Sequence, residues 1–278
     1  MSGDAGRAGP LAGHGVVLSA GSFSAERTTE STERLPGSPA LLRRELFGRP
    51  VLLTAPRLLG CVLAHETAEG TVAVRLTEVE AYAGAADPAS HAFRGQTARN
   101  AVMFGEPGHA YVYFTYGMHF CVNLVCGPAG EASAVLLRAG QVVEGAGLAA
   151  QRRGARAAAS AGGPRELARG PARLCRALAI DRRMDGADVC DPASPLRILG
   201  PACQVTAGQV ERGPRVGVSS GADVRWRFWI AGEATVSAYR PHIPRRRPGS
   251  EPGQRATTTA GPGKPVVRAE PPDGSIHR

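Results

Sequence analysis

Lysine is almost missing from this 278-residue chain: Lys264 is the only one among 33 basic residues. Arginine carries the rest of the positive charge, and the heavy use of Ala, Gly and Pro beside it points to coding bias as much as to selection. Cysteine is sparse and scattered. Cys61, Cys121, Cys126, Cys175, Cys190 and Cys203 form no C-x-x-C pair and have no histidines at zinc spacing, so they read as small buried side chains of a reduced protein. The seven histidines are dispersed, and neither H-x-E nor D-x-D occurs, so no metal site is expected. A P-loop, a G-x-S-x-G elbow and a dinucleotide fingerprint are also lacking, and no cofactor is expected. What remains is chemistry by carboxylate, water and aromatic rings. No apolar run is long enough to span a bilayer, and the opening stretch Leu11 to Leu18 is too short and interrupted for a secretory signal. The expectation is a soluble cytoplasmic protein.

What the chain does have is charge and a cluster of tyrosines. A net charge of +9 and a pI near 9.9 favour a polyanionic partner, although a basic surface also simply keeps a protein in solution. Three of the five tyrosines fall between Tyr111 and Tyr116. In an extended strand Tyr111, Tyr113 and Thr115 share one face, and Val112, Phe114 and Tyr116 the other. Tyr116-Gly117 then reads as a hairpin tip, with Met118 to Cys126 returning. In a basic protein, a tyrosine mounted there is placed to push into stacked nucleic-acid bases.

Composition divides the chain in three. Residues 1–36 show no periodicity and are expected to lack fixed structure. From Pro241 onward the chain is rich in Pro, Gly and Arg, with seven basic and three acidic residues, and reads as a second disordered tail, able to hold DNA non-specifically or merely solvated. The folded domain spans 37–240. Within it, helices are expected at Pro39–Phe47 (capped by Ser38), Ala55–Leu59, 144–157 and 171–179. Strands are expected at 61–65, 71–82, 110–116, 118–126, 134–138, 187–190, 196–199, 215–218, 226–231 and 234–239. Hairpins dominate and βαβ alternation is absent, which gives an α+β domain: a curved, mostly antiparallel sheet with flanking helices and a protruding hairpin.

The segment Leu76 to Tyr82 (L-T-E-V-E-A-Y) leaves two readings open. Glu78, Glu80 and Tyr82 share a face, which is either the wet side of a strand or a carboxylate base beside an aromatic platform. His91 follows a Gly/Asp/Pro loop that could return it to the same region. Arg138 ends an apolar run and, if it points inward, must meet a carboxylate or phosphate. Thr97 and Arg99 offer donors suited to phosphate. Asn123 lies on the returning strand, where it could equally be a satisfied amide.

Taken together these pieces resemble the alkylpurine (3-methyladenine) DNA glycosylases of the mammalian alkyladenine type. The resemblance covers about Leu41 to Arg240. It is carried by Thr77 to Tyr82, Ala89-Ser90-His91, Thr97 to Asn100, Tyr111 to Asn123, Leu136 to Ala139, Gly170 to Cys175 and Arg215 to Val218. It implies a base-excision-repair hydrolase that flips alkylated, etheno or deaminated purines out of duplex DNA. Glu80 would then activate water against C1′, with Arg138 beside it. Tyr82, His91 and Tyr113 would stack on the extruded base, and Asn123 would clash with the 2-amino group of undamaged guanine. Tyr116 would wedge into the duplex, and Met118, Thr97, Arg99 and Arg173 would touch DNA. The chain departs from the family at Val79 (usually Thr), Ala98 (usually Pro) and Arg173 (often Lys). With Lys264 as the only side-chain amine, no Schiff base is expected, so the enzyme would be monofunctional and leave an abasic site. DNA binding would associate a monomer with the nucleoid. Two alternatives are a non-catalytic minor-groove binding module and a hydrolase of free nucleosides.

Overall fold

A computed structural model of the chain describes residues 40–115, 117–154, 162–201 and 204–242. The expectations for 1–36, Ser38, Tyr116, Cys203 and nearly all of the C-terminal tail fall outside those residues. Eight strands among them form one sheet, and every pairing is antiparallel. They are β1 (Val62–Thr67), β2 (Gly70–Tyr82), β3 (Ala110–Thr115), β4 (His119–Cys126), β5 (Ser133–Glu144), β6 (Leu196–Leu199), β7 (Val210–Gly213) and β8 (Arg227–Ile230). The order is β3-β4-β5-β2-β1-β6, with β8 also paired to β2 and β7 to β8. The fold is α+β, as the hairpin-rich sequence requires.

The 13-residue β2 organises the molecule. One edge pairs with β5 along its length; the other pairs first with β1 and then, over Glu78 to Glu80, with β8. The apolar side chains of β2 enter one core cluster on either side of the register shifts in its pairing with β5. Val72, Val74, Leu76, Val79 and Ala81 are all fully buried. Register shifts in the β2–β5 ladder flank Glu78. Such bulges re-aim side chains, and this one turns Glu78 toward Arg138.

Among the described residues, four α-helices pack on the sheet: α1 (Arg44–Phe47), α2 (Val51–Thr54), α3 (Ala146–Arg153) and α4 (Pro171–Leu178). Helix α4 opens with a proline, whose fixed φ suits a first turn. It buries Leu174, Ala177 and Leu178 at i, i+3 and i+4 against β4 and β5. Each buried leucine contributes about 1.5–3 kcal/mol, so a charge at Leu178 would detach the helix.

Several boundaries differ from expectation. The helix expected over 39–47 is only its last turn, because Leu41 instead bridges Leu199. Strand β5 runs on to Glu144, where it still has β2 to pair with. Strand β7 was not foreseen. Residues 187–190, 215–218 and 234–239 are not strands, apart from a single bridge at Asp188. No helix among the described residues is long and apolar enough to cross a membrane.

Candidate active site

Strands β2, β3, β4 and β5 come together around a cavity of about 350 Å³. Tyr82, His91, Tyr111, Tyr113, Asn123 and Arg138 all line it. The alternation read from the sequence holds for Tyr111, Tyr113 and Thr115, which all face this cavity while Val112 enters the apolar core. The rings form a cluster. His91 meets Tyr113 edge-on with centroids 4.5 Å apart, and Tyr111 stacks on Tyr113 at 5.5 Å. His91 Nδ1 lies 3.0 Å from Tyr111 Oη. Asn123, opposite Tyr111 in the β3–β4 ladder, donates from Nδ2 to the Tyr111 carbonyl at 3.0 Å.

Behind this wall lie two fully buried carboxylates, so the wet-face reading of β2 is excluded. Glu80 Oε2 accepts from Tyr82 Oη at 2.9 Å and faces Arg138 Nη1 at 3.2 Å; Oε1 accepts from the Val216 amide at 2.8 Å. Glu78 takes Arg138 Nε at 2.8 Å, Arg227 Nε at 2.7 Å, and both the Ser237 hydroxyl and amide. Burial alone would push the Glu78 carboxyl up, but Arg138 and Arg227 together with Ser237 hold it below the ordinary carboxylate range. Burial would also favour a neutral Arg138. Glu80 and Glu78 reverse this and lock it charged.

The loop from Ala83 to His91 is fixed at both ends. Gly84 has φ +60, and a Cβ there would lie 1.9 Å from the Ala132 carbonyl, so only glycine fits this close approach. Asp87 is forked by Arg215 at 2.5 and 2.8 Å, and Arg215 lies over the Tyr82 ring at 4.6 Å and Trp226 at 5.2 Å. This clamp ties together two loops, 88–91 and 216–219, that both contribute to the cavity lining. Arg215 reads in the sequence as part of a strand. Its role needs Asp87, more than a hundred residues away, and only the pair of opposite charges flanking apolar segments hints at it. Burial lowers the pKa of His91, and Arg99 lowers it further, so the ring is neutral near pH 7. Burial likewise raises those of Tyr82 and Tyr113, which keep their protons.

The remaining expected residues lie further out. Arg99 donates to the Phe114 carbonyl at 3.1 Å and stands 5.9 Å from the Tyr113 ring centre. Thr97 is exposed and hydrogen-bonds Asn100. Met118 is 69 % exposed beside the β3–β4 turn. Arg173 is paired with Glu166 on the surface. Among the described residues no group of three or more His, Cys, Asp or Glu could hold a metal.

Known proteins are similar to this chain over most of its length. A family model described as methylpurine-DNA glycosylase matches residues 45–234. A protein of Streptomyces avermitilis is 59 % identical over 208 residues, which is 74 % of this chain and 95 % of that protein. A protein of Leifsonia xyli is 55 % identical over 72 % of this chain and 92 % of its own, and one of Burkholderia orbicola 43 % over 78 % and 100 %. All three carry the name "Putative 3-methyladenine DNA glycosylase". The chain belongs to the methylpurine-DNA glycosylase family and is, with it, a DNA-repair hydrolase.

Proposed function

We propose that this glycosylase removes alkylated purines, 3-methyladenine among them, by swinging the damaged nucleotide out of duplex DNA into the ring-lined cavity. There Glu80 activates a water against C1′. One observation carries this reading: a buried carboxylate stands directly behind an aromatic cavity, and its donors leave an acceptor position open. An ionised carboxylate has about four acceptor sites. Tyr82 donates to Oε2, the Val216 amide donates to Oε1, and Arg138 forms an ion pair with Oε2, which leaves a place on Oε1 for a water to donate. The glycosidic bond breaks through an oxocarbenium-like sugar, and the same carboxylate supplies both a base and a counter-charge. Arg138 holds Glu80 in its charged form and fixes its direction.

The leaving base is cationic when a purine is alkylated at N3 or N7, so it departs without an acid. The cavity suits such a base. Tyr82 and Tyr113 keep their protons and His91 is uncharged, so none repels a cation, and each ring face attracts it by about 0.5–2 kcal/mol. Asn123 is held rigidly by the Tyr111 carbonyl, where it would meet the 2-amino group of a normal guanine. Tyr116 would fill the gap in the duplex, with Met118, Thr97, Arg99 and Arg173 contacting DNA. The glycosylase domain is 37–240, acting as a cytoplasmic monomer that associates with DNA. It needs neither metal nor cofactor and leaves an abasic site.

The test is base release from a panel of duplexes, each with one defined lesion. Free alkylpurine and an intact strand bearing an abasic site are expected. Lesion-specific binding without released base would instead leave a non-catalytic DNA-binding module, and a borohydride-trapped covalent adduct would overturn monofunctionality.

A further inference from the structure

A second cleft, of about 560 Å³, opens between the start of β4 and helix α4, and four arginines line it: Arg153, Arg173, Arg176 and Arg183. They are not equivalent. Arg183 forks onto Asp181, Arg173 pairs with Glu166, and Arg176 gives its Nε to the Arg152 carbonyl at 2.8 Å. Arg152, one residue before Arg153, is occupied by Glu69, by the Thr67 hydroxyl and by the Ala177 carbonyl. Arg153 differs from all of these. Its Nε is buried without a hydrogen-bond partner, and none of the salt bridges among the described residues reaches it. Burial, then the like charges of Arg173 and Arg176, make its charged form less favourable than usual. A guanidinium left unpaired among other guanidiniums is relieved by an anion, and its planar fork matches a phosphate.

Helix α4 places this cleft relative to the first cavity. Pro171 lines the base cavity, and Arg173 and Arg176 line the second cleft. From Pro171 to Arg176 the helix rises about 7.5 Å at 1.5 Å per residue. That equals about two nucleotides along one DNA strand at 3.4 Å each. Met118 and His119, next to the β3–β4 turn, complete the rim.

We infer that this cleft binds a backbone phosphate of the damaged strand, one or two nucleotides from the extruded purine, with Arg153 as principal ligand and Arg176 beside it. Arg173, already neutralised by Glu166, contributes less. The inference rests on the proposed action on duplex DNA and adds the place where that duplex is gripped.

Affinity for a lesion-bearing duplex, measured across a salt series, tests it in the full chain. Arg153→Gln should flatten the slope of log K against log salt by about 0.9, the value for one phosphate contact. It should also weaken binding about tenfold, as for one lost charged hydrogen bond. Arg153→Lys should restore the slope but only part of the affinity, since the ammonium lacks the fork. Arg176→Gln should give a smaller change of the same sign. Single methylphosphonates along the damaged strand should then show one position, within two nucleotides of the lesion, that weakens the wild type but not Arg153→Gln. An unchanged salt slope in a variant with wild-type thermal stability would overturn the site. So would a sensitive phosphate on the opposite strand or further away. Base release by the wild type is measured on the same duplex. If the wild type releases none, the glycosylase reading fails, while the salt slope and phosphonate map still report on the cleft.

Discussion

Glu78 and Glu80 are separated by one residue in one strand, both are fully buried, and both touch Arg138, yet they are surrounded differently. Glu78 has four donors, three on Oε1 from Arg138, Arg227 and the Ser237 hydroxyl and one on Oε2 from the Ser237 amide, so two guanidiniums enclose it. Glu80 has two hydrogen-bond donors, Tyr82 and the Val216 amide, and an ion pair with Arg138, and all three of these residues line the aromatic cavity. The first carboxylate is an anchor that orients Arg138. The second is held in direction and charge but keeps capacity for a reacting water. Arg138 joins them, so the anchor sets the position of the active group.

The contrast can be broken from its structural end first. Glu78→Ala would leave Arg138 and Arg227 buried without their shared counter-charge, and should cost about 3–5 kcal/mol in urea unfolding. A loss below about 1 kcal/mol would erase the anchor role. Glu80→Ala leaves Arg138 still paired with Glu78, so its cost should be smaller, about 1–3 kcal/mol. Equal losses for the two alanine variants would mean that the surroundings described above do not distinguish the carboxylates energetically.

Acid sharpens the comparison further. Glu78 lies below its ordinary 4.5 because Arg138 and Arg227 outweigh its burial, and Asp87 below its ordinary 3.8 because Arg215 does the same. Depressed carboxyls confer stability that is whole above the unfolded values and lost as pH falls through the folded ones. Melting temperature should therefore drop between about pH 5 and pH 2, and Glu78→Gln should flatten that drop. A profile parallel to the wild type would contradict the assignment. The smallest effect belongs to the histidines. Burial first, then Arg152 for His65 and Arg99 for His91, lower both below their ordinary 6.5. Their unfolded forms take up protons first, so stability should decline gently as pH falls below about 6.5. His91→Phe should remove part of that slope.

How much of this was legible in the sequence depended on how local its cause was. Period-two alternation placed Tyr111, Tyr113 and Thr115 on the cavity wall, because a strand's faces are fixed by its own geometry. The β1–β2 and β3–β4 hairpins and helix α4 were legible for the same reason. The segments expected as strands at 215–218 and 234–239 have the right side chains but not the right use of their backbone. The Val216 amide serves Glu80, the Ser237 amide serves Glu78, and the Val236 carbonyl takes Arg169. Their hydrogen-bonding groups go to charged side chains instead of to a ladder, and propensity cannot detect that. Glu78 was hidden in the same way. Its alternation with Glu80 implied one shared role, and only the bulge and the distant Arg227 and Ser237 separate the two.

Single-turnover base excision by Glu80→Gln on a duplex carrying 3-methyladenine tests the central claim most directly. The amide keeps the shape of the site and can still accept from Val216, but it cannot take a proton from water. Lesion binding should persist while the excision rate falls by about 10²–10⁴-fold. Excision at the wild-type rate by a correctly folded Glu80→Gln would show that the carboxylate behind the aromatic cavity is not the catalytic base.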